Sequence, residues 1–212
     1  MKKILILSAF ILILITLSTH YYGSIDNGDY SDSAKYIAGD YSAKTRISHS
    51  FLYGIIHSPF VLIFQNFLIF KITSLIILFL IIYSVYIISK KDKKAFLLAF
   101  FSPIIWYMAP YINPIQLAGL LFLWAYYFIE KYNRENKLKP LIFSGILMGL
   151  SISFWNTAIY FTILLLVVFL FNKKFSHVIL FANKISLVFL KNSINTLLII
   201  LRINLIYLKT LL

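Results

Sequence analysis

Long apolar runs separated by short polar clusters dominate this chain. The runs occupy residues 4–18, 66–89, 95–109, 115–130, 140–153 and 158–171, and the tail beyond residue 175 continues in the same way. Unbroken runs of Leu, Ile and Phe lack the alternation of a barrel strand and are typical of transmembrane α-helices. The pattern therefore predicts an all-α, multi-pass membrane protein with about seven or eight spans, within a range of about six to nine.

The composition supports this prediction. Hydrophobic residues make up 61% of the chain and charged residues 13%, whereas a soluble domain carries about a quarter charged residues. The formal net charge of +13 would suggest nucleic acid in a soluble protein, but the cations lie in short clusters between apolar runs. No nucleic-acid partner is therefore expected. The absence of cysteine excludes disulfides and thiol chemistry.

The basic clusters predict the orientation in the membrane. Twelve of the twenty Lys and Arg residues lie at positions 2–3, 90–94, 131–139 and 172–174. Loops rich in Lys and Arg face the cytoplasm, so an even number of crossings should separate consecutive clusters. Residues 51–89 then contain one span, over 66–89, and residues 51–65 form a short helix at the outer interface. This predicts a cytoplasmic N-terminus and an extracytoplasmic loop over residues 20–65 of a cell-membrane protein.

That outer loop contains four of the seven acidic residues, all within DNGDYSDSAKYIAGD, residues 26–40. The spacing of Asp26, Tyr30 and Ala34 places the three residues on one helix face. Residues 32–39 are predicted to form a short helix between the first and second spans. Asp32 would lie near its N-terminus and Gly39 at its C-terminal end. The alternative is a solvated loop that is acidic by chance.

The same loop combines carboxylates with the cations Lys44 and Arg46 and with His49. A carboxylate can act as general base toward an alcohol, and cations can stabilise a phosphate leaving group. The histidines of this region are too scattered to indicate a metal site. The cofactor is therefore unknown: a divalent cation is possible but not indicated. The residues favour group transfer from a lipid-linked phosphate donor to a hydroxyl at the membrane surface.

The segment DNGDYSDSAKYIAGDYSAKTR, directly after a first apolar helix, resembles the first outer loop of the GT-C superfamily of membrane glycosyltransferases. These enzymes use polyprenyl- or dolichyl-phosphate sugars, and the likeness is to the mannosyltransferase-like members. Seven residues match the family pattern in order: Asp26, Tyr30, Ala34, Lys35, Gly39, Tyr41 and Arg46. Weaker similarity continues at residues 51–60 and 111–157, so the resemblance covers roughly residues 1–172.

The resemblance implies roles for the loop residues. Asp26 would be the catalytic base that deprotonates the acceptor hydroxyl, with Asp29 as the second candidate. Lys44 and Arg46 would bind the donor phosphate, and substrate binding would also involve Tyr30 and His49. The donor would be a lipid-linked sugar within the membrane lipids, and the acceptor a glycan, lipid or protein. Asp32 and Asp40 are expected to serve as a helix cap and a turn residue.

Two alternatives to this hypothesis stay open. Family members are longer than this chain, and residues 173–212 form an apolar, low-complexity tail, so a truncated or frameshifted copy without activity is one expectation. The other is a non-enzymatic multispanning subunit of an envelope or glycan assembly complex. A transporter or flippase fragment is disfavoured, because transporters place ionisable residues within the bundle and the predicted spans contain no acid.

Overall fold

The computed structural model describes residues 2–19, 25–43, 51–64, 68–111, 114–172 and 181–188. Within these ranges every regular element is an α-helix and no strand occurs, which confirms the all-α prediction. The helices are α1 (Lys2–Ser18), α2 (Ile25–Ile37), α3 (Phe51–Phe64), α4 (Leu68–Ile88), α5 (Lys93–Phe100), α6 (Pro103–Met108), α7 (Ile115–Glu135), α8 (Leu138–Phe154), α9 (Ala158–Asn172) and α10 (181–188).

The helices differ in whether they are long enough to cross a membrane. Among the described residues, α4 is the one helix that is both long and apolar enough to cross a membrane, judged by length and composition. Its 21 residues extend over about 30 Å, the thickness of the hydrocarbon core. The apolar parts of α1, α3 and α8 are shorter, at Leu5–Ser18, Leu52–Ile63 and Leu138–Phe154.

The predicted span over residues 95–109 is not one continuous helix. The chain forms α5 and α6 instead, and Ser102 between them is extended, with φ −61° and ψ 125°. Pro103 is the cause, because proline disfavours the helical conformation in the residue before it while its own fixed φ suits the first turn of a new helix. Asp92 begins α5 by accepting a hydrogen bond from the Lys94 amide at 2.8 Å.

The chain forms two compact units, Met1–Leu123 and Trp124–Leu212, with the boundary inside α7. In the first unit α1 packs against α4. Leu12 lies in one cluster with Leu75 and Leu78, and Thr16 is bonded to Lys71. From one contact to the next, the residue numbers rise along α4 as they fall along α1. The two helices are therefore antiparallel.

In the second unit α8 presents two glycines to α10. A Cβ on Gly145 would lie 2.8 Å from the Lys184 Cβ, and one on Gly149 would lie 2.7 Å from the Val188 Cβ. Both distances are shorter than real contacts allow, so the two backbones approach because these positions lack side chains. Residues 181–188, which lie within the predicted apolar tail, are thus a packed element of this unit.

The α8–α10 contact predicts opposite effects for two glycine substitutions. Gly149→Ala should lower the free energy of unfolding by about 1–3 kcal/mol, because the added methyl group forces the helices apart. Gly119→Ala, on α7, is the control: nothing lies within 4 Å of its added Cβ, so the better helix propensity of alanine should stabilise by about 0.5–1 kcal/mol. Unfolding of the purified protein in detergent measures both, and equal effects would contradict the contact.

Candidate functional site

The acidic segment is more helical than its sequence predicts. α2 begins at Ile25, so Asp26, Asp29 and Asp32 all lie on one helix of 13 residues. The prediction that Asp32 caps a helix over 32–39 is therefore wrong. Asp32 lies in the second half of α2, where its carboxylate is 3.6 Å from the Lys35 ammonium. The first turn instead holds Asp26, a position where the helix dipole stabilises a carboxylate.

The C-terminal end of α2 agrees with the prediction for Gly39. This residue has a φ of +103°, its N–H donates to the Tyr36 carbonyl at 3.1 Å, and the Asp40 N–H donates to the Lys35 carbonyl at 3.0 Å. This pair of bonds is the Schellman motif, which needs a left-handed residue and so favours glycine.

Asp40 is a turn residue, as predicted. Its Oδ1 accepts hydrogen bonds from the Ser42 hydroxyl at 2.5 Å and from the Ser42 amide at 3.2 Å. These bonds, the hydroxyl bond foremost, lower the pKa of the exposed Asp40 carboxyl below its usual range. Asp32 and Asp40 therefore both have local structural partners.

The predicted shared face of α2 is buried against α3. Tyr30 and Ala34 are 8% and 0% exposed. The Tyr30 ring meets the Tyr53 ring edge-on, with 5.8 Å between centroids. A Cβ on Gly54 would lie 3.1 Å from the Ser33 Cβ, a tighter contact than most real Cβ atoms make, so a glycine favours this close approach. We call the two packed helices the α2–α3 pair.

The α2–α3 pair has a definite direction. Contacts advance together along both helices: Tyr30 meets Tyr53, and further along both helices Ala38 lines one groove with Val61. The two helices therefore run in the same sense, and the Asp26 end of α2 lies beside the start of α3. Asp29 is on this part of α2 and its Oδ2 is buried from solvent.

Four of the six predicted site residues lie partly or wholly outside the residues that the structure describes. Asp26 belongs to α2 by its backbone, and its side chain is outside the described part of the structure. Lys44, Arg46 and His49 also lie outside the described residues. The structure thus brings Asp29 and Tyr30 together on α2, and the roles implied for all six residues stay predictions.

A groove runs along the far end of the α2–α3 pair. Its volume is about 410 Å³, within the usual range for small-molecule sites, and its lining consists of Lys35, Ala38, Asp40, Val61 and Leu62. Lys35 follows Asp26 by nine positions, which at 100° per residue places the two positions on opposite faces of α2. The groove is therefore not the place where the predicted base would meet its substrate.

His57 is a residue whose contacts the sequence did not reveal. It is 1% exposed. Its Nδ1–H donates to the Tyr53 carbonyl at 2.8 Å, and its Nε2 lies 2.9 Å from the Thr73 hydroxyl oxygen. Its ring stacks on Phe70 at 4.9 Å between centroids. His57 therefore connects α3 to α4 through Thr73 and Phe70. Both of its ring nitrogens already have a hydrogen-bond partner.

Lys71 is the second residue whose contacts the sequence did not reveal. It is 2% exposed and is the one charged residue of α4. Its ammonium donates to the Thr16 carbonyl at 3.0 Å, to the Thr19 hydroxyl at 3.2 Å and to the Thr19 carbonyl. Carbonyls at a helix C-terminus lack helical partners and carry partial negative charge. Lys71 therefore caps the C-terminal end of α1.

No group of three or more His, Cys, Asp or Glu side chains that could hold a metal ion occurs among the described residues. The sequence signal for the two missed contacts was present: His57 and Lys71 each interrupt an apolar helix, and Thr16 and Thr19 supply polar partners near the end of α1. What the sequence lacked was the pairing, since Lys71 and Thr16 are separated by 55 positions.

The capping role of Lys71 predicts the cost of removing it. Lys71→Met should lower the free energy of unfolding by about 1–3 kcal/mol, because the α1 carbonyls lose a buried donor. Lys93→Met removes the same charge from an exposed position on α5 and should change stability by no more than about 0.5 kcal/mol. Chemical unfolding in detergent measures both, and a Lys71 variant as stable as the control would refute the cap.

Comparison with protein-family models, with curated proteins and with solved structures finds no match for this chain. The case for its function therefore depends on its own residues. These are the acids of α2, the contacts that dock this helix on α3, and the connection of α3 to α4 and of α4 to α1.

Proposed function

We propose that this chain is an integral membrane glycosyltransferase of the GT-C type, which moves a sugar from a polyprenyl-phosphate donor to a hydroxyl acceptor on the outer face. The observation that supports this most is the state of the acidic segment. Asp26 and Asp29 lie on a helix that packs on α3, and not in an irregular loop. A catalytic base needs such a rigid support to hold it near a reacting hydroxyl.

The arrangement of α1 and α4 supports the proposed topology. The N-terminus is cytoplasmic, α1 crosses outward and α4 crosses back, which is the antiparallel arrangement of their contact. The α2–α3 pair then lies on the extracytoplasmic side at the end that Lys71 caps. The proposal keeps seven or eight spans, and counts α5 and α6 as one broken crossing, as occurs where a helix interruption is covered by neighbours.

The proposed reaction is a single inverting displacement. The Asp26 carboxylate accepts the proton of the acceptor hydroxyl as its oxygen bonds to the anomeric carbon, and the bond from that carbon to the phosphate oxygen breaks. The polyprenyl phosphate leaves with the bonding electrons, and Lys44 and Arg46 stabilise its charge. Asp29 is the second candidate for the base, and Tyr30 and His49 complete the substrate contacts.

A non-enzymatic subunit of an envelope or glycan assembly complex is the second candidate function. It is favoured by Asp32 and Asp40, because both of these acids take part in local structural contacts. The α2–α3 pair would then be a docking surface whose shape matters more than its carboxylates. The two functions differ in their response to a change that removes charge and preserves shape.

The test is sugar transfer by membranes that contain Asp26→Asn, Asp29→Asn or the control Asp32→Asn. With a labelled polyprenyl-phosphate sugar as donor, loss of the base should lower the rate by about 100-fold or more. Asp32→Asn removes a surface ion pair and should stay within about threefold of the original rate. Membrane levels of each variant are measured in parallel. Original rates in both Asp26→Asn and Asp29→Asn would refute the proposal.

A further inference from the structure

The turn between α7 and α8 forms a small basic cleft in the second unit. α7 ends at Glu135, Asn136 adopts a left-handed φ of +56°, and Lys137 is the N-cap residue of α8. The Asn136 N–H donates to the Tyr132 carbonyl at 2.8 Å. Asparagine tolerates this conformation better than most residues, so two residues suffice to reverse the chain and to bring the helix ends together.

The cleft has a volume of about 270 Å³ and holds three lysines around one glutamate. The Lys131 ammonium lies 3.8 Å from one Glu135 oxygen, and the Lys137 ammonium lies 3.6 Å from the other. Lys139 also lines the cleft. Glu135 offsets one of the three positive charges, so a charge of about +2 remains within a space of this size. Such a cleft favours a compact anion.

The remaining walls of the cleft are apolar. Phe128, Pro140 and Phe143 line it, and the two phenylalanine rings stack with 5.8 Å between centroids. Phe143 is 44% exposed and continues the apolar surface of α8 away from the lysines. A free phosphate ion would use only the charged side of this cleft, whereas a molecule with an anionic head and a hydrocarbon tail would contact both.

We propose that this cleft binds the headgroup phosphate of an anionic phospholipid. Lys131, Lys137 and Lys139 surround the phosphate, and the acyl chains lie along Phe143. Basic pockets at the cytoplasmic ends of transmembrane helices bind anionic headgroups in this way, and the charge pattern of residues 131–139 predicts the cytoplasmic side. The inference requires α7 and α8 to lie in a membrane and is independent of the glycosyltransferase proposal.

The experiment is a binding titration of the full-length protein in neutral detergent, read by native mass spectrometry. Phosphatidylglycerol and phosphatidylcholine with identical acyl chains are compared. Phosphatidylglycerol should bind at least about fivefold tighter. The triple variant Lys131→Gln, Lys137→Gln, Lys139→Gln should lose at least this factor. The control triple Lys91→Gln, Lys93→Gln, Lys94→Gln removes the same charge from exposed positions and should stay within about twofold.

Two further measurements distinguish lipid binding at the cleft from its alternatives. Glu135→Gln removes the internal competitor for the lysines and should tighten phosphatidylglycerol binding about twofold or more, a gain that a folding defect cannot produce. Inorganic phosphate, titrated as competitor, should displace the lipid poorly. Equal loss in both triple variants, equal binding of the two lipids, no gain in Glu135→Gln, or displacement by phosphate at the concentration of the lipid would each overturn the proposal.

Discussion

The close approach of α2 to α3 is the contact on which the candidate site depends. An acidic, polar helix such as α2 has little reason to fold alone, because short isolated helices are marginal in water. Its stability comes from burying Tyr30 and Ala34, and Gly54 favours that burial because a Cβ there would lie only 3.1 Å from the Ser33 Cβ. Without this contact, Asp26 and Asp29 would lie on unstructured chain with no fixed relation to the membrane surface.

Polar side chains within the apolar helices connect the α2–α3 pair to the rest of the first unit. His57 connects α3 to α4, Lys71 connects α4 to the end of α1, and the Ser74 hydroxyl donates to the Tyr111 carbonyl at 3.0 Å. Away from water, a polar group without a partner costs several kcal/mol, so each such residue effectively selects its neighbour. The acidic helix is thereby connected step by step to the helices that we propose to cross the membrane.

The apolar pattern alone predicted most of the helices, because α1, α4, α7, α8 and α9 follow its runs closely. The spacing of Tyr30 and Ala34 predicted the buried face of α2, and Gly39 predicted its end. The start of α2 was missed, because Asn27 and Gly28 have low helix propensity, whereas the α2–α3 contact favours helix over this segment. Pro103 was visible in the sequence, but the apolar residues on both sides of it led to the prediction of one span over residues 95–109.

The partners in the site were harder to predict than its residues. Lys71 and His57 stood out as polar interruptions, yet their partners lie 55 and 16 positions away, and no local rule relates such distant positions. A single sequence shows which groups need a partner, while helix packing decides which partner they find. Asp26 was identified from a resemblance in the loop, and no local pattern in the sequence showed that its helix packs on α3.

The most direct test of the account is a disulfide between α2 and α3. The chain contains no cysteine, and a Cβ at position 54 would lie 3.1 Å from the Ser33 Cβ, within a small adjustment of the separation a disulfide needs. Ser33→Cys with Gly54→Cys should crosslink in membranes under mild oxidation, seen by mass spectrometry as the loss of two hydrogens. Ser33→Cys with Ile56→Cys, on an exposed part of α3, should stay reduced. Equal crosslinking of both pairs, or of neither, would contradict the docked acidic helix.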